Sequence, residues 1–336
     1  MSGHLEVHAP DGVGEVTAGT DLVGLVVELL APRDGDVVVV TSKVVAKAEG
    51  RASTLDRERA IDDETVRVVA RRGPTRISRT RHGLTLAAAG VDNSNVVRGS
   101  VVLLPLDPDA SARALRRGVR ERAGVDVGVV VTDTAGRAWR EGQTDIAVGA
   151  AGLAVLEDHA GRHDSYGNEL AVTAPAVADE IAGAAELAQG KLGGRPLALV
   201  RGRADLVLPG DDDGPGARAL VRDPARDMFG YGAREAVVAA LAAASDPAEL
   251  VDGFGGPAGA DDLAGAVARV LGVEARVADT GDGLVATVRD TDAVVLTALT
   301  RAHGWRWAAA PSAGTTPAGA TDTPGTTEVR LTRPSP

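Results

Sequence analysis

The stretch Asp34-Gly35-Asp36-Val37-Val38-Val39-Val40-Thr41-Ser42-Lys43-Val44-Val45-Ala46-Lys47 decides how this chain reads. Asp-Gly-Asp is turn chemistry, and four consecutive valines read as a strand buried on both faces. A second run, Val127 to Val131, is equally rich in valine and delivers Thr132-Asp133-Thr134 at its C-terminal end. Buried strands that end in hydroxyl and charged side chains predict a mixed α/β (α+β) core with its function at the strand ends.

Working outward, Thr20 or Asp21 caps a helix over 21–31, and 109–123 reads as a helix between Pro108 and Gly124. Helical spacing also runs from Asp62 to Arg72, with Val66, Val69 and Ala70 inward, until Gly73-Pro74 stops it. Thr173 is expected to cap a long helix through Ala188, with Val177, Ile181, Ala184 and Ala188 on one face. Further strands are expected at 85–89 and 196–201, and a helix at 233–244. After residue 245 come expected helices at 261–271 and 292–302 and strands near Ala275, Leu284, Trp305 and Val329. Between the last two strands, 308–327 is a Pro/Gly/Ser/Thr/Ala tract read as a flexible loop. The expected domains are therefore 1–245 and a small α+β appendage, 246–336.

Composition narrows the function. The 336 residues are 44% hydrophobic and 25% charged, ordinary for a folded protein, and carry a net charge of −11. An acidic surface repels phosphate backbones and anionic lipid, so neither nucleic acid nor membrane is expected as a partner. Three tryptophans, two tyrosines and two phenylalanines are too few for a base-stacking platform. The absence of cysteine excludes disulfides, zinc thiolates and thiol nucleophiles; any metal must be held by oxygen or imidazole. No targeting segment or membrane span is apparent, and the expected location is the cytoplasm. Of 36 basic residues only Lys43, Lys47 and Lys191 are lysine. In a chain that writes arginine elsewhere, a lysine marks a place where a compact ammonium does what a guanidinium cannot, or it is chance survival.

Several constellations could carry chemistry, each with a plainer alternative. Asp92, in Val91-Asp92-Asn93-Ser94-Asn95, and Asp133 both follow strands and could converge on one hard cation; both could equally be turn formers. Gly190-Lys191-Leu192-Gly193-Gly194 could form an anion nest or simply close a helix. Arg137 and Arg140 suit a phosphate or a substrate carboxylate, or a solvated turn. Ser42, Lys43 and Lys47 could grip phosphates. His159 and His163 are a metal pair or a polar loop. Neither a P-loop nor a strand-linked G-x-G-x-x-G is present.

Taken together, these segments resemble one family. Asp34 through Arg51, Ala89-Gly90-Val91-Asp92-Asn93-Ser94-Asn95-Val96, Leu103-Leu104-Pro105 with Asp107–Ser111, and Val131-Thr132-Asp133-Thr134 through Gly149 resemble the coenzyme F420-0:L-glutamate ligases (gamma-glutamyl ligases) of the actinobacterial type. So do Asp164-Ser165-Tyr166-Gly167-Asn168-Glu169-Leu170 and Ala176–Ile181, and the resemblance spans about residues 1 to 240. It implies an intertwined homodimer of unusual α/β type and GTP-dependent ligation of L-glutamate to F420-0, or its dehydro form, through an acyl phosphate. It implies magnesium or manganese, with potassium as an additional cation. Residue by residue, Asp92 and Asp133 would ligate one metal and Thr134 a second. Val13, Gly14, Glu15, Val16, Ser42, Lys47 and Asn95 would contact the nucleotide, with Gly190 and Lys191 near its phosphates. Where relatives carry Gln, Lys191 would set an ammonium in place of a metal ligand. Two-domain relatives carry a flavin-dependent nitroreductase-like domain; no such motif is recognisable after 245, so no flavin is expected. The competing readings are a metal-dependent phosphohydrolase using Asp92 and Asp133, and a non-catalytic GTP-binding subunit.

Overall fold

The computed structural model describes residues 3–94, 99–242, 253–272, 276–289, 293–307 and 326–333. In chain order the elements are β1 (Glu6–His8), α1 (Leu22–Leu30), β2 (Val37–Thr41), α2 (Ser42–Ala48), β3 (Ala52–Ser53), α3 (Arg57–Glu64), β4 (Thr65–Arg72), β5 (Thr75–Thr80) and β6 (Thr85–Ala87). There follow β7 (Val101–Val102), α4 (Pro108–Ala123), β8 (Gly128–Gly136), β9 (Gln143–Ala151), β10 (Arg162–His163), β11 (Glu169–Leu170), α5 (Val177–Gln189) and β12 (Leu197–Arg201). The remainder comprises α6 (Ala233–Ala242), α7 (Ala260–Leu271), β13 (Arg276–Asp279), β14 (Gly283–Arg289), α8 (Ala293–Ala302), β15 (Arg306–Trp307) and β16 (Thr326–Thr332).

The first of two compact units holds Met1–Arg67 and Thr75–Val221. Its central sheet runs β1-β12-β2-β8-β9, with only β2 and β8 parallel. The valine run of β2 is buried throughout because helices cover both faces. Val38, Val40, Val129 and Val131 pack with Val26 and Leu30 of α1 and Leu115 and Val119 of α4. Val37, Val39 and Val130 face the other way, against Val177 and Ile181 of α5. Asp21 caps α1 by accepting from Gly24 N, and Asp107 caps α4 by accepting from Ala110 N.

Three expectations need correction. The helix expected over Asp62–Arg72 is the tail of α3 followed by strand β4. Asp56 starts α3 earlier than expected, and the Thr65 hydroxyl donates back to Ile61 O where the helix ends. Val66, assigned to an inward face, is exposed; the β-branched run prefers a strand. Thr173 caps nothing: α5 begins at Val177 with no side-chain cap. The backbone of 173–175 is occupied instead, taking bonds from His159 N and Glu157 N. Its buried face uses Ala182 and Ala185 rather than Ala184 and Ala188. Finally, β8 does not stop before Thr132. The parallel ladder with β2 ends at Thr41–Thr132, but antiparallel pairing with β9 continues to Gly136–Gln143. Thr132, Asp133 and Thr134 therefore lie within a strand that runs on past its parallel neighbour.

The second unit, Val68–Pro74 with Arg222–Pro336, combines helices with an antiparallel sheet. The boundary expected near 245 falls inside it. Residues 68–74 join it through backbone bonds: Gly232 N to Val69 O at 2.7 Å, and Arg71 N to the Glu235 carboxylate at 2.8 Å. An antiparallel sheet β13-β14-β16-β15 packs with α7 and α8 around Leu263, Leu284, Leu296, Trp305 and Leu331. The tract expected as a loop lies outside the described residues at 308–325, and 326–327 belong to β16; Ala275 and Asp292 also lie outside them. Among the described residues no helix is long and apolar enough to cross a membrane.

Candidate functional site

Because β8 outruns β2, the C-terminal end of β2 opens onto a cleft of about 460 Å³ in the first unit, beside α2 and the segment after α5. Val13, Gly14, Glu15 and Val16 line it, as do Ser42 and Lys47 of α2. So do Asp92, Asp133, Thr134, Gly190 and Lys191. Arg137 and Arg140 are not among its lining; they sit on the loop joining β8 to β9. Asn95 lies outside the described residues. Lys43 also lines the cleft, so every lysine of the chain converges there.

Each lysine has a definite partner. Lys47 pairs with Glu15 at 2.7 Å, tying the N-terminal turn to α2. Lys43 pairs with Asp92 at 2.5 Å and donates to Ser94 O and Oγ at 3.0 and 2.9 Å. Lys191 donates to Thr134 Oγ1 at 2.8 Å, and that hydroxyl donates to Asp145 Oδ1 at 2.9 Å. Thr132 Oγ1 donates to the other Asp145 oxygen at 3.0 Å, so buried Asp145 anchors both threonines.

Asp92 and Asp133 differ sharply. Burial raises the Asp92 carboxyl, but Lys43 and the Ser94 N–H together outweigh it and hold the group below its ordinary value. Burial pushes Asp133 up to about 7; its bond from Ser42 Oγ, at 3.2 Å, only partly offsets this, and the charges of Asp145 and Asp92 add to the rise. Among the described residues Asp133 has no ion-pair partner. Glu186 is also raised, by burial and then by Asp145.

Sequence reasoning overlooked Asp145, Glu186, Gln189 and Arg195 as cleft residues. Asp145 carried a readable signal: Gln143–Ala151 alternates toward apolar residues as a strand does, yet its first residues read as the end of a turn. Gln189 is buried, and neither of its amide atoms has a hydrogen-bond partner among the described residues. The His159–His163 segment runs from a turn into the short strand β10, with Arg162 against His159 Nδ1 at 3.1 Å.

The donor set fits a hard divalent cation in one respect and limits it in another. Asp133 is a buried carboxylate destabilised by neighbouring anions and lacking a cation, which a metal would supply. No cluster of three or more metal-ligating side chains occurs among the described residues. A cation there would need oxygens from a ligand or water, as magnesium commonly does beside one or two carboxylates and phosphates.

A mixed α/β core carries a cleft of carboxylates, lysines and glycines at the end of its central strands, and the comparisons with known proteins assign such a chain to a class of enzyme, the ligases. The chain matches the F420-0:Gamma-glutamyl ligase family over residues 12–62 and 58–202. It is 42% identical over 238 residues to a protein named coenzyme F420:L-glutamate ligase from Methanopyrus kandleri, covering 64% of this chain and 93% of that one. Proteins of the same name from Haloarcula marismortui and Archaeoglobus fulgidus are each 40% identical, over 258 and 218 residues. These cover 69% and 59% of this chain and 98% and 88% of the relatives. The chain belongs to the F420-0:gamma-glutamyl ligase family.

Proposed function

We propose that this protein ligates L-glutamate to coenzyme F420-0, or its dehydro form, using GTP. The observation that carries the reading is the meeting of all three lysines with Asp92, Asp133 and Thr134 in one cleft. Ammonium groups beside paired carboxylates suit a reaction that moves a phosphoryl group between oxyanions.

In this reading the γ-phosphoryl group of GTP passes to the lactyl carboxylate of F420-0. The bond from the γ-phosphorus to the bridging oxygen breaks, and GDP and an acyl phosphate form. The amino group of glutamate then attacks the acyl carbon; the amide forms while phosphate and a proton leave. Repetition on the new γ-carboxylate adds γ-linked glutamates. Residues 13–16, Ser42, Lys47 and Asn95 hold the nucleotide, and Gly190 with Lys191 offsets charge on its phosphates. Asp92 and Asp133 would hold one magnesium or manganese ion and Thr134 a second; a bound ion supplies charge neutralisation at the transferred group. Holding glutamate against the acyl carbon in the same cleft turns amide formation into a step within one complex. The working form is a homodimer.

The experiment is incubation of the full chain with F420-0, GTP, L-glutamate and manganese. The expected result is a mass gain of one glutamyl unit on the coenzyme for each GDP formed. Phosphate released from GTP regardless of coenzyme and glutamate would instead identify a phosphohydrolase. Tight GTP binding without product under any metal would identify a binding subunit.

A further inference from the structure

Most charges lining the cleft are matched inside the protein. Lys47 meets Glu15, Lys43 meets Asp92, and Arg195 meets Asp11 at 2.8 Å. Asp145 takes the Thr132 and Thr134 hydroxyls. Glu186 also lines the cleft, half-buried, and its side chain makes no hydrogen bond or ion pair among the described residues. Its carboxyl is raised above its ordinary value by burial first and by the charge of Asp145 second. The ammonium of Lys191, which donates to Thr134 Oγ1, offsets this only in part.

The place of Glu186 on its helix adds to the imbalance. It lies in the last turn of α5, which holds no basic residue. The free carbonyls of a helix C-terminus are negative, so a carboxylate there meets a charge of its own sign. One turn earlier, a Cβ on Gly183 would come within 3.3 Å of Thr144 Oγ1, so α5 lies closely against the start of β9, where Asp145 stands. Three residues after Glu186, and next to it on the helix surface, Gln189 lines the same cleft. Gln189 is 2% exposed, and neither its amide nitrogen nor its amide oxygen has a partner among the described residues. An unpaired buried amide is a cost that a ligand bringing both a donor and an acceptor would remove. An ionised phosphate, an acceptor only, would leave Oε1 bare.

We infer that Glu186 and Gln189 seat the head group of the incoming amino acid, with the Glu186 carboxylate holding its ammonium and the Gln189 carboxamide bridging the ammonium and the α-carboxylate. The inference rests on the proposed function, which brings three substrates into the cleft. The phosphoryl donor and the carboxylate acceptor bring negative charge, and an unmatched carboxylate repels both. The amino acid alone brings a positive charge. The same seat gives a place to the proton that must leave before nitrogen can attack. The ammonium passes one proton to the Glu186 carboxylate, and the freed lone pair forms the C–N bond at the acyl carbon. The bond from that carbon to the phosphate oxygen breaks, and phosphate leaves with its electron pair. Phosphate takes the second nitrogen proton as the amide forms, and Glu186 returns the first to water.

The test compares two nucleophiles on the full chain with F420-0, GTP and manganese. One is L-glutamate; the other is hydroxylamine, a neutral amine that traps an acyl phosphate as a hydroxamate and needs neither a cation seat nor a base. Glu186→Gln is expected to lower kcat/KM for glutamate at least about 100-fold. Its rate of hydroxamate formation, its KM for GTP and its manganese affinity should stay within about twofold of wild type. Gln189→Leu is expected to raise the KM for glutamate about fivefold at unchanged kcat, and to melt no lower than wild type because an unpaired amide is gone. Wild-type glutamate kinetics in either variant overturns the inference. So does an equal loss of hydroxamate formation in Glu186→Gln, which places that carboxylate in the phosphoryl-transfer step, or a loss of manganese affinity, which makes it a metal ligand. Wild type that forms neither glutamyl product nor hydroxamate overturns the proposed function itself, a result distinct from each of these.

Discussion

Asp92 and Asp133 line the same cleft, yet their surroundings drive their carboxyls in opposite directions. Asp92 follows a short 3-10 turn, pairs its backbone with Val102 and meets Lys43 and the Ser94 amide. Asp133 sits within β8, buried, where the Ser42 hydroxyl and the Thr134 N–H do not outweigh burial and two anionic neighbours. One carboxylate is already satisfied by the protein; the other is held at a cost the fold does not recover internally. Asp92 is balanced inside the protein and Asp133 is not, so the cation of the proposed mechanism would be needed most at Asp133.

The largest expected effect tests that asymmetry directly. Asp133→Asn should lower glutamate ligation at least about 100-fold, while its melting temperature without metal stays equal to or above wild type. Near-normal turnover would remove Asp133 from the metal site. Next, Lys191→Ala should raise the KM for GTP about tenfold, since an ammonium is lost from the Thr134–Asp145 side. A change confined to the KM for glutamate would shift Lys191 to the other substrate. Lys43→Ala should do the reverse at the Asp92 side. With its internal cation gone, manganese binding measured by equilibrium dialysis should tighten about threefold; weaker binding would make Lys43 an organiser rather than a competitor.

The smallest effect concerns pH. The folded Asp133 carboxyl titrates near 7 and the unfolded one near its ordinary 3.8, so the folded protein binds more protons between these values. In the presence of a chelator, stability should therefore fall as pH rises from about 4 to about 7 and level off above. Thermal melts of wild type and Asp133→Asn across this range should differ in slope; parallel curves would contradict the burial argument.

Much of the fold was legible because its signals were local and redundant. The valine runs of β2 and β8, the Asp21 cap and the Pro108–Gly124 bracket of α4 each point one way. Where two periods competed, reading failed: Thr65–Arg72 satisfies helical spacing on three residues, and only pairing decides for a strand. The end of β8 was misjudged because its two neighbours stop at different places, a tertiary fact that no window of sequence contains. For the same reason the candidate site was visible as separate fragments, 13–16, 42–47, 92, 133–134 and 190–191, before the cleft joined them. Asp145 escaped notice because its part depends on Thr134 lying opposite it across the sheet and Thr132 diagonally from it.

Since Lys43, Lys47 and Lys191 are the chain's whole supply of side-chain amines, the molecule is chemically addressed by its own composition. An acylating or reductively methylating reagent can mark only that cleft and the N-terminal amine. Mass shifts on three peptides, with and without nucleotide, would then footprint ligand occupancy with no engineered label.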